Sequence, residues 1–488
     1  MAGALILLPL AMAAVCAALP SRRWRVWLLP ATALAHLTLT VGALSRPELG
    51  VGSEWLVLDP PGRVILLAVS VVFLISSCYA VGDLRLRPDR PNRVFCACWL
   101  GVLGVMTLVT WSHHLGLLWV AIEATTLVTA PLIYFNHTQR SIEATWKYLL
   151  VGSVGIALAL LGTFFLAYAS LSAGFESLTF EDLLSHAPKL SKPWLHAAFV
   201  LLLVGYGTKM GLAPMHSWKP DAYGEAPGGV GAVLAGCVTS CAFLAILRVY
   251  HICNAAGEGA YAARRLMVLG LFSMAVAGLF MIGQRDFKRM LAYSSVEHMG
   301  ILVLGLGIGA PALFGTLLHV LTNGLTKGAL FLSAENIQRV YDSKSTERVS
   351  GALRQLPGSG ALFFAGFLAI TGSPPFGPFI SEFAILNGAF AAGRFAVGGL
   401  FLFFLLIVFI GMGMTVLQVV QGPGGPGGRG DPEGTEPGAA HQPARRDELL
   451  TTLPVAGFMA LVLLLGLYIP APVTALLNDA VRFLETRP

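Results

Sequence analysis

Leu201 to Trp218 reads LLLVGYGTKMGLAPMHSW, an apolar run that encloses Lys209 and meets Pro214 five residues later. An ammonium at mid-membrane costs about 2.5 to 3.5 kcal/mol on insertion scales, so a lysine kept there marks an ion or proton route. Proline removes an amide donor and interrupts the helix that carries the lysine. Irregular backbone at membrane depth is tolerated only where protein or a water-filled cavity receives the freed carbonyls and amides. The stretch therefore predicts a membrane-embedded charge site on a discontinuous helix.

The remainder of the chain fits that setting. Of 488 residues, 56% are hydrophobic and 12% charged, against roughly 25% charged in soluble domains. Apolar stretches of about 20 residues recur about fourteen times, which predicts an all-α polytopic membrane protein with about 14 transmembrane helices. Arg22, Arg23 and Arg25 follow the first apolar stretch instead of preceding it, so that stretch reads as a retained helix and not as a secretory signal. Lys and Arg number about twenty after the odd-numbered spans and about ten on the other side, which predicts cytoplasmic odd connections and both termini outside. The basic connections Asp83 to Arg93 and Gln284 to Arg289 are the clearest anchors. The net charge of +6 reports this topology and implies no nucleic-acid partner. Cys16, Cys78, Cys96, Cys98, Cys237, Cys241 and Cys253 form no C-x-x-C or metal spacing, so no metal, iron–sulfur or haem cofactor is expected.

Two spans carry proline at depth, the seventh at Pro214 and the twelfth at Pro374 and Pro375 (ITGSPPFGPFISEF), five spans apart. Five-span units placed head to tail point in opposite directions through a bilayer, so the pattern predicts two inverted five-helix repeats with broken helices 7 and 12. The expected organisation is three N-terminal helices in 1–92, a first repeat (helices 4–8) in 93–255 and a second (helices 9–13) in 264–420. A disordered cytoplasmic linker in 421–447, and helix 14 with its tail in 448–488, complete it. Gly and Pro density decides the linker. Ser172 to Lys192 sets Phe175, Leu178, Phe180, Leu183 and Leu184 among acids, which predicts an interfacial amphipathic helix.

Charges inside the spans supply the chemistry. Glu123 (LLWVAIEATTLV) lies about 12 Å into its helix, at 1.5 Å per residue, and is too deep to snorkel. Lys209 at comparable depth is its natural partner. In the second half Lys327 (HVLTNGLTKGALFL) sits near His319, Thr322, Asn323 and Thr326, and Glu382 follows the Pro374–Pro375 break, so opposite signs recur in one unit. Lysine suits a proton relay because burial disfavours the ammonium while a nearby carboxylate favours it, and moving the carboxylate moves the balance. Glu297 and His298 (AYSSVEHMG) extend the route toward the cytoplasmic face. His216, Asp221 and Glu225 (PMHSWKPDAYGEAP) read as a channel mouth or subunit contact, and His113 and His114 as residues of the outer edge.

Four stretches, GTKMGLAPMHSWKPDAYGEAP, RDFKRMLAYSSVEHMG, LTNGLTKGALFL and GPFISEF, resemble the antiporter-like, proton-translocating membrane subunits of complex I (M/N-type), sodium/proton antiporters (D-type) and membrane-bound hydrogenases. The form K-P-D-A-Y-G-E-A-P looks most like the F components of hydrogenase-4 assemblies. The resemblance covers roughly residues 60 to 420 and implies a fourteen-helix subunit with two half-channels joined by a central hydrophilic axis. It matches the helix-five glutamate to Glu123, the helix-seven lysine to Lys209, the central lysine of the second half to Lys327 and the helix-twelve glutamate to Glu382. Ser240 stands where many members carry a lysine or histidine bridging the halves, Asn323 replaces a histidine of some members, and Tyr223 replaces the second histidine of W-x-P-D-A-H. The short stretch after the last span implies the shorter subunit type, without a long lateral helix.

The function expected is proton translocation in a redox-driven complex of a bacterial or archaeal cytoplasmic membrane, of the group 4 hydrogenase or formate hydrogenlyase kind. Redox and other membrane subunits are its partners, and it is no enzyme by itself. The alternatives are a subunit of a sodium/proton antiporter or of an NADH-quinone oxidoreductase, and a non-conducting scaffold. A dry apolar layer between Lys209 and Lys327 would mark the scaffold; a chain of polar groups would mark transport.

Overall fold

The computed structural model describes residues 1–88, 90–422 and 447–485. Helices α1 (Ala2–Ala18) and α2 (Arg22–Ser45) are followed by a short hairpin of β1 (Val51–Ser53) and β2 (Leu56–Val57), then α3 (Pro60–Arg85) and α4 (Arg93–Trp111). Next come α5 (Leu115–Ile133), α6 (Gln139–Ser172), α7 (Phe180–Ser185), α8 (Lys192–Met210), α9 (Trp218–Glu225), α10 (Gly228–Val233) and α11 (Thr239–Ala255). The second half holds α12 (Gly259–Met281), α13 (Phe287–Ile308), α14 (Ala310–Tyr341), α15 (Ala352–Gln355), α16 (Pro357–Ile370), α17 (Gly377–Ala391) and α18 (Phe395–Gln421). After the linker follow α19 (Leu449–Leu467) and α20 (Ala471–Glu485).

Among the described residues ten helices are long and apolar enough to cross a membrane, counting Gly228–Ala255 as one through a π turn at Leu234–Val238, and Ala2–Ala18 and Pro357–Ile370 are shorter apolar helices. The chain is thus an all-α polytopic membrane protein, with fewer clear spans than the sequence count of about fourteen. The difference lies where polar side chains interrupt the apolar length: α8 holds Lys209, and α14 holds His319, Asn323 and Lys327. The span expected over 358–390 is two short helices, α16 and α17.

Local chemistry sets the helix ends. Asp59 caps α3 by accepting from Gly62 N at 2.8 Å, with Pro60 and Pro61 in the first turn, where no amide donor is needed. Thr138 and Ser141 cap α6 reciprocally. α8 stops at Met210 because Gly211 adopts φ +80°, a left-handed conformation that ends a helix readily only at glycine. The interruption therefore begins before Pro214, not at it. Likewise α16 ends at Ile370 and Gly372 (φ +68°) turns the chain ahead of Pro374 and Pro375.

The span Gly228–Ala255 and α13 are buried along their apolar length, whereas α2, α6, α18 and α19 expose most of theirs. The centre of the molecule is accordingly α10, α11, α13 and α14, and the exposed Leu150, Phe164, Leu279 and Phe403 form the outer, lipid-compatible face. α6 packs on α8, α12 on α13 and α14 on α17.

A further expectation changes. Ser172 to Lys192 forms no interfacial amphipathic helix: between the end of α6 and the start of α8 only Phe180–Ser185 is α-helical, and it is tied to the protein by Phe180 N donating to His113 O (2.9 Å) and Leu115 N to Leu178 O (3.0 Å), with Phe180 and Leu183 buried. Its apolar residues find protein before they find lipid. Within the linker, residues 423–446 lie outside the described residues, but Asp447 accepts from Gly358 N (2.7 Å) and Ser359 Oγ (2.6 Å) and so neutralises the start of α16.

Candidate proton-transfer site

In the first half, α5, α6 and α8 converge on Lys209. Its ammonium, in the last turn of α8, donates to Thr126 Oγ1 and to Tyr148 OH, both at 2.8 Å, and lies 4.8 Å from the Tyr148 ring centre. Thr126 in turn donates to Glu123 Oε2 at 3.2 Å. The expected contact of Glu123 with Lys209 is thus made through one hydroxyl. Glu123 and Thr126 are three residues apart on one helix face, so the threonine reaches the lysine first and the half-buried carboxylate stands behind it. Tyr148, fully buried and bonded to Thr129 Oγ1 at 2.6 Å, was not singled out in the sequence; a tyrosine on a neighbouring span carries no one-dimensional signal.

The second half is arranged differently from the pairing expected. Lys327 on α14 donates to Ser294 Oγ at 2.6 Å and Leu291 O at 3.5 Å, both on α13, and Glu297 is the carboxylate within its electrostatic reach. Glu382 on α17 sits instead beside His298, with Oε1 3.9 Å from Nδ1. His298 Nδ1 is 3.0 Å from His319 Nε2, His319 Nδ1 is 2.9 Å from Ser381 Oγ, and His298 Nε2 is 3.8 Å from Glu297 Oε2. His319 and Lys327 are separated along α14 by about 12 Å, at 1.5 Å per residue, and Glu382, which stands beside the histidines, makes no ion pair with Lys327 within 4.0 Å. The order is Lys327, Glu297 and His298, from which His319 and Glu382 both branch. His298, His319 and Glu382 also bring one donor atom each within 4.8 Å of one another, a spacing open to a divalent cation, but the two imidazoles spend those donors on each other.

Glu382 depends on the bend before α17. A Cβ at Gly372 would fall 2.3 Å from Glu382 Oε2. Gly372→Ala therefore combines about 1 kcal/mol of backbone strain with displacement of the carboxylate from His298. The expected result is an assembled complex with severalfold slower proton uptake in proteoliposomes; an unchanged rate would show that Glu382 need not stand here.

The residues expected at the edges are placed less as open mouths than as clamps. Asp221 pairs with Lys147 (2.9 Å) and Arg289 (3.0 Å), and Glu225 with Lys344 (2.7 Å), tying α9 to α6, α13 and the connection after α14. His216 is half-buried between Phe280 and Tyr293, and Pro214 is exposed in the turn before it. His114 stacks on Trp55 at 4.6 Å and caps α5 at Gly116 N; His113, edge-on to Phe180, is buried, which holds its proton affinity below the usual histidine value.

Sequence reading missed three charged groups. Arg248 on α11 holds Asp59 by two hydrogen bonds of 2.8 Å. Lys288, expected as part of a surface anchor, is buried and pairs with Glu335 at 3.0 Å, and Arg87 bonds the other oxygen of the same carboxylate. The third is Lys219, fully buried on α9. Ser240, by contrast, bonds Gly236 O of its own helix at 2.8 Å and offers the halves nothing.

With Lys209 and Lys327 each at the end of a buried polar line, the comparison with known proteins is informative. The family model described as NADH:quinone oxidoreductase/Mrp antiporter, TM matches residues 112–411, which hold both lines. The chain belongs to this family. It is 35% identical over 446 residues to a protein named hydrogenase-4 component F homolog from Methylacidiphilum infernorum (isolate V4), covering 86% of this chain and 89% of that one. It is 35% identical over 350 residues to the NADH-quinone oxidoreductase subunit N of Desulforudis audaxviator (strain MP104C), covering 69% and 67%. In fold it is similar to a chain of the Mrp complex from Dietzia sp. DQ12-45-1b, with a TM-score of 0.85 over 99% of this chain and 97% of that one at 21% identity. Membership in the NADH:quinone oxidoreductase/Mrp antiporter family thus agrees with the resemblance read from the four motifs. The family's matches are membrane subunits of oxidoreductase and antiporter complexes, and this chain shares their fold over nearly its whole length.

Proposed function

We propose that this chain translocates protons as one membrane subunit of a multi-subunit complex of the complex I and Mrp type in a bacterial or archaeal cytoplasmic membrane. The observation that carries the proposal is the line of buried ionisable and hydroxyl side chains on each half: Glu123, Thr126, Lys209 and Tyr148 on one, and Lys327, Ser294, Glu297, His298, His319 and Glu382 on the other. Charges inside a bilayer-spanning bundle are expensive and are retained where a charge must move. Gaps of 3.8 and 3.9 Å at His298 are crossed by small side-chain rotations or through a water, so formation and loss of these contacts would gate the step. The breaks after α8 and α16 place one such line beside each, which supports two inverted five-helix repeats within a fourteen-span topology.

A polar contact between the halves weighs against a non-conducting scaffold: Lys219 donates to Met210 O, next to Lys209, and to Ser295 O, next to the Ser294 that receives Lys327. Relatives with hydrogenase and with quinone-oxidoreductase names are equally similar by identity, so the proposal is made at the level of the family, and a hydrogenase-4 type assembly is one of its members. Isolation of the tagged chain from native membranes tests it. Co-purification of redox subunits, with turnover-driven proton uptake in proteoliposomes, is the expected result; small antiporter subunits and sodium-driven proton movement would place the chain in an exchanger. A chain isolated alone that moves no protons would overturn the proposal.

A further inference from the structure

Lys219 belongs to neither half of the site. Its side chain is fully buried, and a Cβ at Gly211 would lie 2.6 Å from its Cδ, so the lysine threads through the space that glycine leaves open at the end of α8. The ammonium donates to Met210 O at 2.8 Å, next in sequence to Lys209, and to Ser295 O at 3.3 Å, next to the Ser294 that receives Lys327. Tyr223 presents its ring at 5.5 Å, and Lys327 and His298 lie within electrostatic reach.

Among the described residues Lys219 makes no ion pair within 4.0 Å, in contrast to Lys288, which is equally buried and paired with Glu335. A buried lysine kept for packing alone is matched by a carboxylate, because an unmatched charge costs several kcal/mol. Carbonyl acceptors serve another purpose. They accept from an ammonium and from a neutral amine alike, so Lys219 stays hydrogen-bonded in both protonation states.

We propose that Lys219 is the proton carrier between the two halves, at the crossing that Ser240 leaves without an ionisable group. The proposal rests on the proton-translocation reading above. One proton leaves the Lys209 ammonium, binds the Lys219 amine, and passes to the Lys327 amine; each transfer moves one positive charge and no electrons.

The test uses the complete complex in proteoliposomes, with Lys219→Met, Lys219→His and, as a control, Lys209→Ala. Lys219→Met is expected to assemble and to lose proton uptake at least about tenfold, an added barrier of about 1.4 kcal/mol or more. Lys219→His is expected to retain uptake with its optimum moved to lower pH, because imidazole holds a proton less tightly than an amine. Wild-type uptake by Lys219→Met while Lys209→Ala is inactive would overturn the carrier role and leave the function intact; wild-type uptake by both would overturn the function itself. Should Lys219→Met fail to assemble, Lys219→His decides: an unshifted pH profile overturns the proposal.

Discussion

Proton uptake by proteoliposomes holding the complete complex is expected to fall at least about tenfold with Lys209→Ala, while the complex still assembles. The lysine bonds two hydroxyls, Thr126 Oγ1 and Tyr148 OH, and faces Glu123 across the first of these. Removing the ammonium leaves hydroxyls that can still bond their neighbours, Thr126 to Glu123 and Tyr148 to Thr129, so the fold tolerates the loss better than the relay does. Lys209→Arg separates charge from chemistry. Guanidinium keeps the positive charge and the donors but does not release its proton, so it should assemble well and transport as poorly as alanine. Transport at the wild-type rate by either variant would remove Lys209 from the route.

The second large effect concerns stability. Asp59→Ala is expected to destabilise the folded chain by about 3 to 5 kcal/mol, seen as a lower melting temperature and lower yield in detergent. Asp59 and Arg248 are buried, and their two-point contact is extended by Arg248 to the carbonyls of Val109, Thr110 and Ser112 at 2.9 to 3.3 Å. The pair joins three elements: the N-terminus of α3 through the Asp59 cap, the C-terminal carbonyls of α4, and α11. A carboxylate at one helix start and a cation at another's end each favour the local backbone dipoles as well as each other. Gly62 must stay small for this packing, since a Cβ there would come 2.4 Å from Asp59 Oδ1. Replacing both charges, Asp59→Leu with Arg248→Met, should cost less than Asp59→Ala alone, because no unpaired ion remains. A double variant as unstable as the single one would show that the ion pair is not what holds these helices.

How much of this was legible before folding depends on the distance over which a residue acts. Lys209 and Lys327 were visible because a charge in an apolar run is improbable for any other purpose, whatever surrounds it. Glu123 was visible for the same reason, and its direct partner was not: Thr126 is an ordinary polar residue of a helix until Lys209 arrives from α8. The expected Lys327 and Glu382 pair assumed that the halves repeat their contacts as they repeat their residue types, and the rise of α14 separates the two by whole turns. Lys219 and Lys288 sit among prolines, acids and other basic residues, where solvent is the default expectation, so the sequence does not announce their burial. Arg248 and Asp59 lie at span ends, where snorkelling to the surface is the usual fate of a charge.

By itself the sequence determined the solvent of this protein and the identity of its main charged groups. Apolar length decides insertion into a bilayer, and a lysine or glutamate within that length declares itself by its cost. The tertiary structure alone decided which charge meets which group. Partner choice depends on three-dimensional crossings between helices far apart in sequence, such as α5 with α8 or α13 with α14, and on turns like Gly211 that aim one buried side chain past another. Those crossings put a hydroxyl between Glu123 and Lys209, moved Glu382 to the histidines, and set the Lys219 ammonium between Met210 O and Ser295 O.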